Sequence, residues 1–493
     1  MAWIWRRPTP PLRSGALPRI RLVAQAGYPP AGPRGTASMT HSAPHSSDVS
    51  ADVRPQPGTA TPVSHRRILA GSVAQTGSRI VSMGSTFVIM GLLARSLSPE
   101  QFGAWAVLLA TAQLVTTLDI GLGAALRNRV SNLLSSGALS EVRNYVFAAT
   151  LLVAGLGGLV IAGALAFGVP PSLLGLPSGA VFAQSALLVI LAAAITVPLG
   201  MVVQLFYCWI EAYWIAALDL GRIAMQLTAM VTIAGLGGGL FPEVGAYFGS
   251  AILFSIVGAA LMCRRRHWGL RDFFTQPHWW PQARAHIRSL APEAGLFAFM
   301  AAAGTINSNA DAIIIAHTLS VDAVGNYSVV QRLFAAATGL HLTFFYSHWG
   351  AYAVKYSGND FSWLKRAIKL YSLFTILYAV AISVITIVAG PWIVKIWTSK
   401  IVTDTYLYAG FGAFVIISTL TNHISIFLNA IGRTRRQATI LTASVIVNVP
   451  IAIVLCHHLG AVGVVISTTS VTSLLMLNNI LEARSVLWKA AAR

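Results

Sequence analysis

Among the ionisable side chains inside apolar stretches are Asp311, in a run from about 292 to 316, and Arg332, in a run from about 324 to 350. A charge near the middle of a bilayer costs about 2.5–3.5 kcal/mol on insertion scales, so each needs a water-filled cavity or a partner. Asp311 stands eight residues before Leu319, and Arg332 eight residues after Val324. An antiparallel pair of helices then brings both to a similar depth, roughly 12 Å below the connecting turn at about 1.5 Å per residue. Two chemistries fit. In one, the pair is a structural salt bridge that neutralises itself. In the other, Arg332 faces a cavity and holds an anion, for which guanidinium geometry is suited, while Asp311 titrates or trades partners as the cavity opens. Asn307, one turn before Asp311, shares its helix face.

Other polar residues in apolar runs carry weaker signals. Arg79 either faces a cavity or reaches outward to lipid phosphates along its apolar stem. Arg222 pairs readily with Asp219, three residues earlier on a helix. His348, Asn422, His423 and Asn429 add polar surface of the kind that more often bonds a neighbouring helix than a ligand. Motifs for hydrolysis are absent: there is no P-loop, no G-x-S-x-G, no H-E-x-x-H and no G-x-G-x-x-G after a strand. Neither an enzyme nor a cofactor is expected.

The elements that position these residues are legible in the composition. Of 493 residues, 55% are hydrophobic and only 10% are charged, against about 25% charged in a soluble chain. Apolar runs of membrane-spanning length recur from about residue 68 to 481. They predict an all-α polytopic membrane protein with about twelve helices, near 70–94, 102–124, 146–167, 182–207, 214–236, 242–262, 292–316, 324–350, 368–390, 406–429, 438–456 and 461–481. The net charge of +19 comes from Lys and Arg in the N-terminal tail and short loops, which is a topology signal and no nucleic-acid footprint. One set of alternate connections carries 18 Lys and Arg and the other only Arg95, Lys395 and Lys400. Basic loops stay cytoplasmic, so both termini are expected there. Cys208, Cys263 and Cys456 form no metal or disulfide framework.

Residues 1–67, rich in Pro, Ser, Gly, Ala and Thr, read as a disordered basic tail, with Met39 as an alternative start. Domains are expected at 68–262 and 292–482, joined by a basic cytoplasmic linker at 263–291 and followed by a tail at 483–493. The two domains are repeats. Ala94-Arg95-Ser96-Leu97-Ser98-Pro99-Glu100-Gln101-Phe102-Gly103 aligns with Ala316-His317-Thr318-Leu319-Ser320-Val321-Asp322-Ala323-Val324-Gly325 at an offset of 222 residues. At that offset Asp119 corresponds to His341, while Asp311 and Arg332 match the apolar Ile89 and Ala110. An even number of spans per half makes the repeats parallel, with a substrate path between them.

Four stretches carry a resemblance to a known family. Leu92-Leu93-Ala94-Arg95-Ser96-Leu97-Ser98-Pro99-Glu100-Gln101-Phe102-Gly103, with Leu118-Asp119-Ile120-Gly121 and Asn128-Arg129 after it, is similar to the first hairpin of the O-antigen and exopolysaccharide (Wzx-like) flippases. These belong to the multidrug/oligosaccharidyl-lipid/polysaccharide (MOP) transporter superfamily. Asn309-Ala310-Asp311 with Gln331-Arg332-Leu333, Leu428-Asn429-Ala430-Ile431-Gly432-Arg433, and Leu459-Gly460-Ala461-Val462-Gly463 extend the match to most of the chain. The resemblance implies a MATE-like, V-shaped pair of six-helix bundles in the bacterial inner membrane, working by alternating access. It implies a polyprenyl-diphosphate-linked oligosaccharide as cargo, with polysaccharide polymerase and glycosyltransferases as partners. On that reading Arg332, Arg79, Asn307 and Gln331 contact substrate, and Asp311, Asp119 and His341 serve coupling or gating. Family matching also favours Asp119 as a tie to Arg127 or Arg129. The rival readings are a cation-coupled multidrug exporter of the same superfamily and a non-transporting partner subunit.

Overall fold

Ser98 and Ser320 do the same work 222 residues apart in the computed structural model. The Ser98 hydroxyl accepts from the Gln101 amide at 3.2 Å, and the Ser320 hydroxyl accepts from the Ala323 amide at 3.1 Å. Each is an N-cap that satisfies an orphan helix donor, and each is followed by an acid, Glu100 or Asp322, in the first turn where the helix dipole favours it. The structure describes residues 65–489 apart from 120, 136, 270–278, 347, 400, 401, 403 and 434. The chain divides into two units, Met1–Gly58 and Thr59–Arg493, and the description concerns the second. The expected tail therefore lies outside the described residues as far as position 64.

The first half contains α1 (His65–Ser96), α2 (Pro99–Val115), α3 (Leu122–Ser135), α4 (Leu139–Phe167), α5 (Ala180–Gln204), α6 (Ala212–Gly235) and α7 (Leu240–Arg265). The second contains α8 (Trp279–Thr318), α9 (Val321–Tyr346), α10 (Trp349–Ser357), α11 (Phe361–Thr398), α12 (Thr405–Ala430), α13 (Arg435–Leu459) and α14 (Ala461–Lys489). Among the described residues nine helices are long and apolar enough to cross a membrane. The other long elements are α2, cut to 17 residues by the 3-10 turn Thr116–Asp119, and α8 and α9, which carry the polar Asn307, Asn309, Asp311, Gln331 and Arg332. Together they make the twelve expected. Three bounds differ from the sequence reading, the first being the tail, whose last three expected residues, 65–67, already belong to α1. Residues from Trp279, expected to be linker, already belong to α8, and α14 continues into the expected tail as far as Lys489.

Both halves have the same packing plan. α1 packs on α6, α2 and α4 on α5, α5 on α7, and α6 on α7; correspondingly α8 packs on α13, α9 and α11 on α12, α12 on α14, and α13 on α14. The short α3 and α10 follow α2 and α9 in each. Asp360 and Asp404 cap α11 and α12 by accepting from the Trp363 and Leu407 amides, each at 3.1 Å. Lys355, hydrogen-bonded to Asp360 at 2.8 Å, and the Trp363 amide hold the Asp360 carboxyl below its ordinary range. On α11, Leu370, Leu373, Leu377, Val384, Val388 and Trp392 are exposed, an apolar stripe that suits lipid.

The halves meet at the end poor in Lys and Arg, through equivalent positions of the two repeats. Gly325 lies against Phe102 and Gly103, and a Cβ on Gly103 would fall 1.8 Å from the Val321 carbonyl oxygen. Association inside a bilayer is driven by close van der Waals packing, which small residues permit. Next to this crossing the Trp397 indole donates to the Phe87 carbonyl at 2.9 Å, and Arg95 donates to the Ile396 carbonyl. One core spans both halves at this end, built on Leu93, Phe102 and Trp105 from one half and Ile315, Val324 and Tyr327 from the other. Toward the basic end the core splits into one cluster around Leu126, Val146 and Phe206 and another around Phe345, Tyr352 and Phe427. The start of α8 rides with the first half: the Tyr145 and Ser289 hydroxyls are 3.1 Å apart, and the Tyr145 ring lies 4.2 Å from that of His286.

Candidate substrate cavity

The split between the cores leaves two adjoining cavities behind the sealed end. The first, about 250 Å³, is walled by α1, α2, α6 and α7 of one half and by α8 and α9 of the other. Its polar lining includes Ser82, Gln113, Arg222, Gln226, Gln331 and Arg332, and no Asp or Glu contributes to it. The second, about 470 Å³, is lined by α8, α9, α12 and α14 of the second half together with Gln113 of α2, and adds an apolar wall of Phe334, Phe411, Phe414 and Val415. Gln113, Asn309, Tyr327, Gln331 and Arg332 line both.

Arg332 therefore stands at the junction, where it meets no carboxylate. The described ion pairs are Arg222–Asp219, Arg265–Glu211, Arg266–Glu211 and Lys355–Asp360. The salt bridge weighed for Arg332 and Asp311 is not formed. Asp311 is 5% exposed and accepts at 2.6 Å from the Tyr327 hydroxyl, while its second oxygen is buried without a partner. The reason is rotational. Tyr327 and Arg332 are five residues apart on α9, about 140° around the axis at 3.6 residues per turn. Turning Tyr327 toward α8 turns Arg332 into the cavity.

Arg222 is the other arginine of the first cavity, and the sequence offers it a local partner in Asp219. That pair exists, at 3.5 Å, yet the other guanidinium nitrogen donates to Gln226 at 3.0 Å, and Gln226 donates onward to the Tyr247 carbonyl at 3.0 Å. Gln226 is 2% exposed, so this chain fixes Arg222 against the first cavity. The sequence signal that could have found it is the triplet of polar residues Asp219, Arg222 and Gln226 at helical spacing on one face of an otherwise apolar span.

The remaining expected residues separate into those at the site and those away from it. Gln331 lines both cavities and Asn307 the second, where its carbonyl oxygen is 3.5 Å from the Asn448 amide nitrogen. Arg79 is exposed and lines neither cavity, but it precedes Ser82 and Thr86 by three and seven residues, on the face of α1 that does. It stands toward the basic end of that face. Asp119 does not tie to Arg127 or Arg129: it closes the 3-10 turn by accepting from the Gly121 amide at 2.7 Å, and Arg129 donates to Tyr145 instead. Gly121, at a φ of 71°, makes the left-handed step that brings its amide back to the carboxylate. His341 is 3% exposed and faces α11, with Nε2 3.0 Å from the Thr375 hydroxyl, so it lies behind the cavity wall. Among the described residues no group of His, Cys, Asp and Glu could hold a metal ion.

This architecture has relatives of known structure. A multidrug resistance MATE family transporter of the MOP superfamily, in an inward-facing conformation, matches with a TM-score of 0.68 and 15% identity, covering 86% of this chain and 99% of that one. An outward-facing conformation of such a transporter matches with a TM-score of 0.54 at 15% identity, over 87% and 96%. A MOP superfamily transporter from Pyrococcus furiosus, described as having a binding pocket of reverse polarity that suggests a different function, matches at 0.53 and 15% identity, over 86% and 95%. Identities this low show the fold alone. A search of curated proteins gives no match. The family model described as polysaccharide biosynthesis protein matches residues 68–347, more than half of the chain and all of α2 to α9. The chain is thus a multi-pass membrane protein with a MATE-like fold that belongs to the polysaccharide biosynthesis protein family.

Proposed function

We propose that this protein is a flippase that carries a polyprenyl-diphosphate-linked oligosaccharide from the cytoplasmic to the periplasmic leaflet of the bacterial inner membrane. The observation that carries the reading is the first cavity, in which arginines from opposite halves, Arg222 and Arg332, share a space that no carboxylate lines. A cationic drug would meet uncompensated positive charge there, whereas a diphosphate would accept charge-assisted hydrogen bonds from both guanidinium groups. Amide side chains around them, Gln113, Asn309 and Gln331, suit sugar hydroxyls. The lipid chain stays in the bilayer, because each CH₂ moved into water costs about 0.8 kcal/mol.

With both termini cytoplasmic, the sealed end is periplasmic and the cavities belong to a cytoplasm-facing state. The higher similarity to an inward-facing structure supports that sidedness. Because the arginines come from different halves, a rocking motion that opens the periplasmic seal moves them apart and loosens their joint grip, so binding is coupled to access. Polysaccharide polymerase and glycosyltransferases are the partners such a cargo implies.

Purified protein tests this by competition. A fluorescent polyprenyl diphosphate should bind at least about tenfold more tightly than the monophosphate, the second phosphate engaging the second arginine, and a cationic dye should not displace it. Displacement by the cation would favour the multidrug exporter reading.

A further inference from the structure

A sugar ring has an apolar face of C–H groups and an edge of hydroxyls, and a site for it must supply apolar surface for the one and placed polar groups for the other. The larger cavity supplies both. Its apolar wall is braced: Phe334 and Phe411 stack at 5.6 Å with their planes 19° apart, and Tyr327 tilts against Phe411 at 5.2 Å. Phe414, half-buried, adds a further ring to that wall. Around it stand the polar side chains of Gln113, Asn307, Asn309, Asp311 and Gln331. Gln113 and Gln331 make no side-chain hydrogen bond among the described residues, and each amide offers two N–H donors and a carbonyl acceptor. Asn309 donates from its amide nitrogen to the Thr305 carbonyl at 2.9 Å, which leaves its oxygen to accept.

Asp311 belongs to the same lining. Its equivalent in the first half is the apolar Ile89, so the repeat itself does not need a carboxyl group at this depth. One of its oxygens accepts from Tyr327, and the other is buried without a partner. A buried acceptor without a donor costs about 1–3 kcal/mol, so this oxygen is placed to take a hydrogen bond from a ligand. The groups around it are amides and aromatic rings, and no second carboxylate lines the cavity among the described residues. That company suits a hydroxyl better than a metal ion, which gathers several oxygen ligands. Size separates the two cavities further. About 470 Å³ lies within the range of about 300–1,000 Å³ typical of small-molecule sites, and about 250 Å³ lies below it.

We propose that the larger cavity is the sugar subsite and that it takes neutral pyranoses, a division of labour that rests on the flippase reading and adds to it. The diphosphate is held by Arg222 and Arg332 in the smaller cavity. The first sugars of the cargo pass Gln113 and Gln331, which line both cavities, and lie against the Phe411 and Phe414 wall with their hydroxyls toward Asp311 and Asn307. Acidic sugars are excluded by charge. Among the described residues Arg332 is the only Lys or Arg that lines the larger cavity, and the diphosphate already engages it. The carboxylate of a uronic acid would therefore enter beside Asp311 without a counter-ion, and an uncompensated buried charge is strongly unfavourable.

Alkylation footprints on the purified full chain separate the two cavities. Ser82 lines only the smaller one and Thr338 only the larger, so Ser82→Cys and Thr338→Cys, each in a background without the three native cysteines, report on them in turn. Where Thr338→Cys does not fold, Ala335→Cys reports on the same cavity. Cellobiose, lactose or diacetylchitobiose at several times its Kd should slow alkylation of Thr338→Cys by N-ethylmaleimide about fivefold or more and leave Ser82→Cys unaffected. Inorganic diphosphate should do the reverse. Glucuronic acid, added with inorganic diphosphate present, should leave Thr338→Cys unprotected. Phe414→Ala should weaken protection by the neutral sugars about tenfold without changing that by diphosphate. The subsite is overturned if no neutral sugar protects Thr338→Cys, if the sugars protect Ser82→Cys instead, or if glucuronic acid protects as well as they do. Diphosphate that fails to protect Ser82→Cys, beside sugars that do protect Thr338→Cys, would sink the diphosphate reading and leave the sugar subsite standing.

Discussion

Arg332→Ala should lower the flipping of a polyprenyl-diphosphate sugar in reconstituted vesicles by about 100-fold. That is the loss expected when a desolvated charge-assisted contact of roughly 3 kcal/mol is removed from an anion held in low dielectric. Arg332→Lys should recover part of the activity, to within about tenfold of wild type, because an ammonium keeps the charge and forfeits the two-pronged geometry. Arg222→Ala should fall between the two, since Asp219 already offsets part of its charge. Stability separates this from a folding defect. Arg332 carries a guanidinium that no described carboxylate balances, so its removal relieves a buried charge and should leave the melting temperature unchanged or raised. A drop in flipping that tracks a drop in stability would refute the assigned role.

Gly103→Val should stop transport by blocking one of its two end states. Even the first carbon of the new side chain would sit 1.8 Å from the Val321 carbonyl oxygen, a backbone atom at the start of α9. Neither helix can yield without undoing its cap, so the seal between the halves cannot close and the population is held open at that end. Abolishing one state in a two-state cycle should cost roughly 20-fold or more in turnover. The protein should still fold, because each half keeps its own core. Gly249→Ala, whose added methyl meets nothing within 4 Å, is the matched control and should transport normally. Equal activity in both variants would show that the α2–α9 crossing does not have to close.

What the sequence made legible follows from which forces are local. Apolar runs and basic loops report solvent, and the observed helices follow them closely. The repeat was visible because the Ser98 and Ser320 caps and the Gly103 and Gly325 crossing need particular residue types at fixed spacing. Depth in the membrane was legible too, and Asp311 and Arg332 do line the same cavity. Rotation about a helix axis was not. Neighbouring positions on α9 are separated by about 100°, and which of them faces α8 is decided by tertiary packing. Tyr327 took the place beside Asp311 for that reason, and Arg332 was left to the cavity. The partnership of Arg222 with Arg332 across the two halves was hidden because nothing in the offset of 222 links them. Asp119 reads in the sequence as a tie to Arg127 or Arg129, but a glycine two residues on gives its carboxylate a nearer donor at 2.7 Å.

The most direct test of lipid-linked sugar transport is the leaflet distribution of polyprenyl-diphosphate sugars in cells depleted of this protein, measured beside cells carrying a charge-reversed Arg332→Glu variant. Accumulation in the cytoplasmic leaflet, reproduced by the variant, is the predicted result. A distribution that stays the same after depletion would contradict the account and bring the multidrug exporter forward.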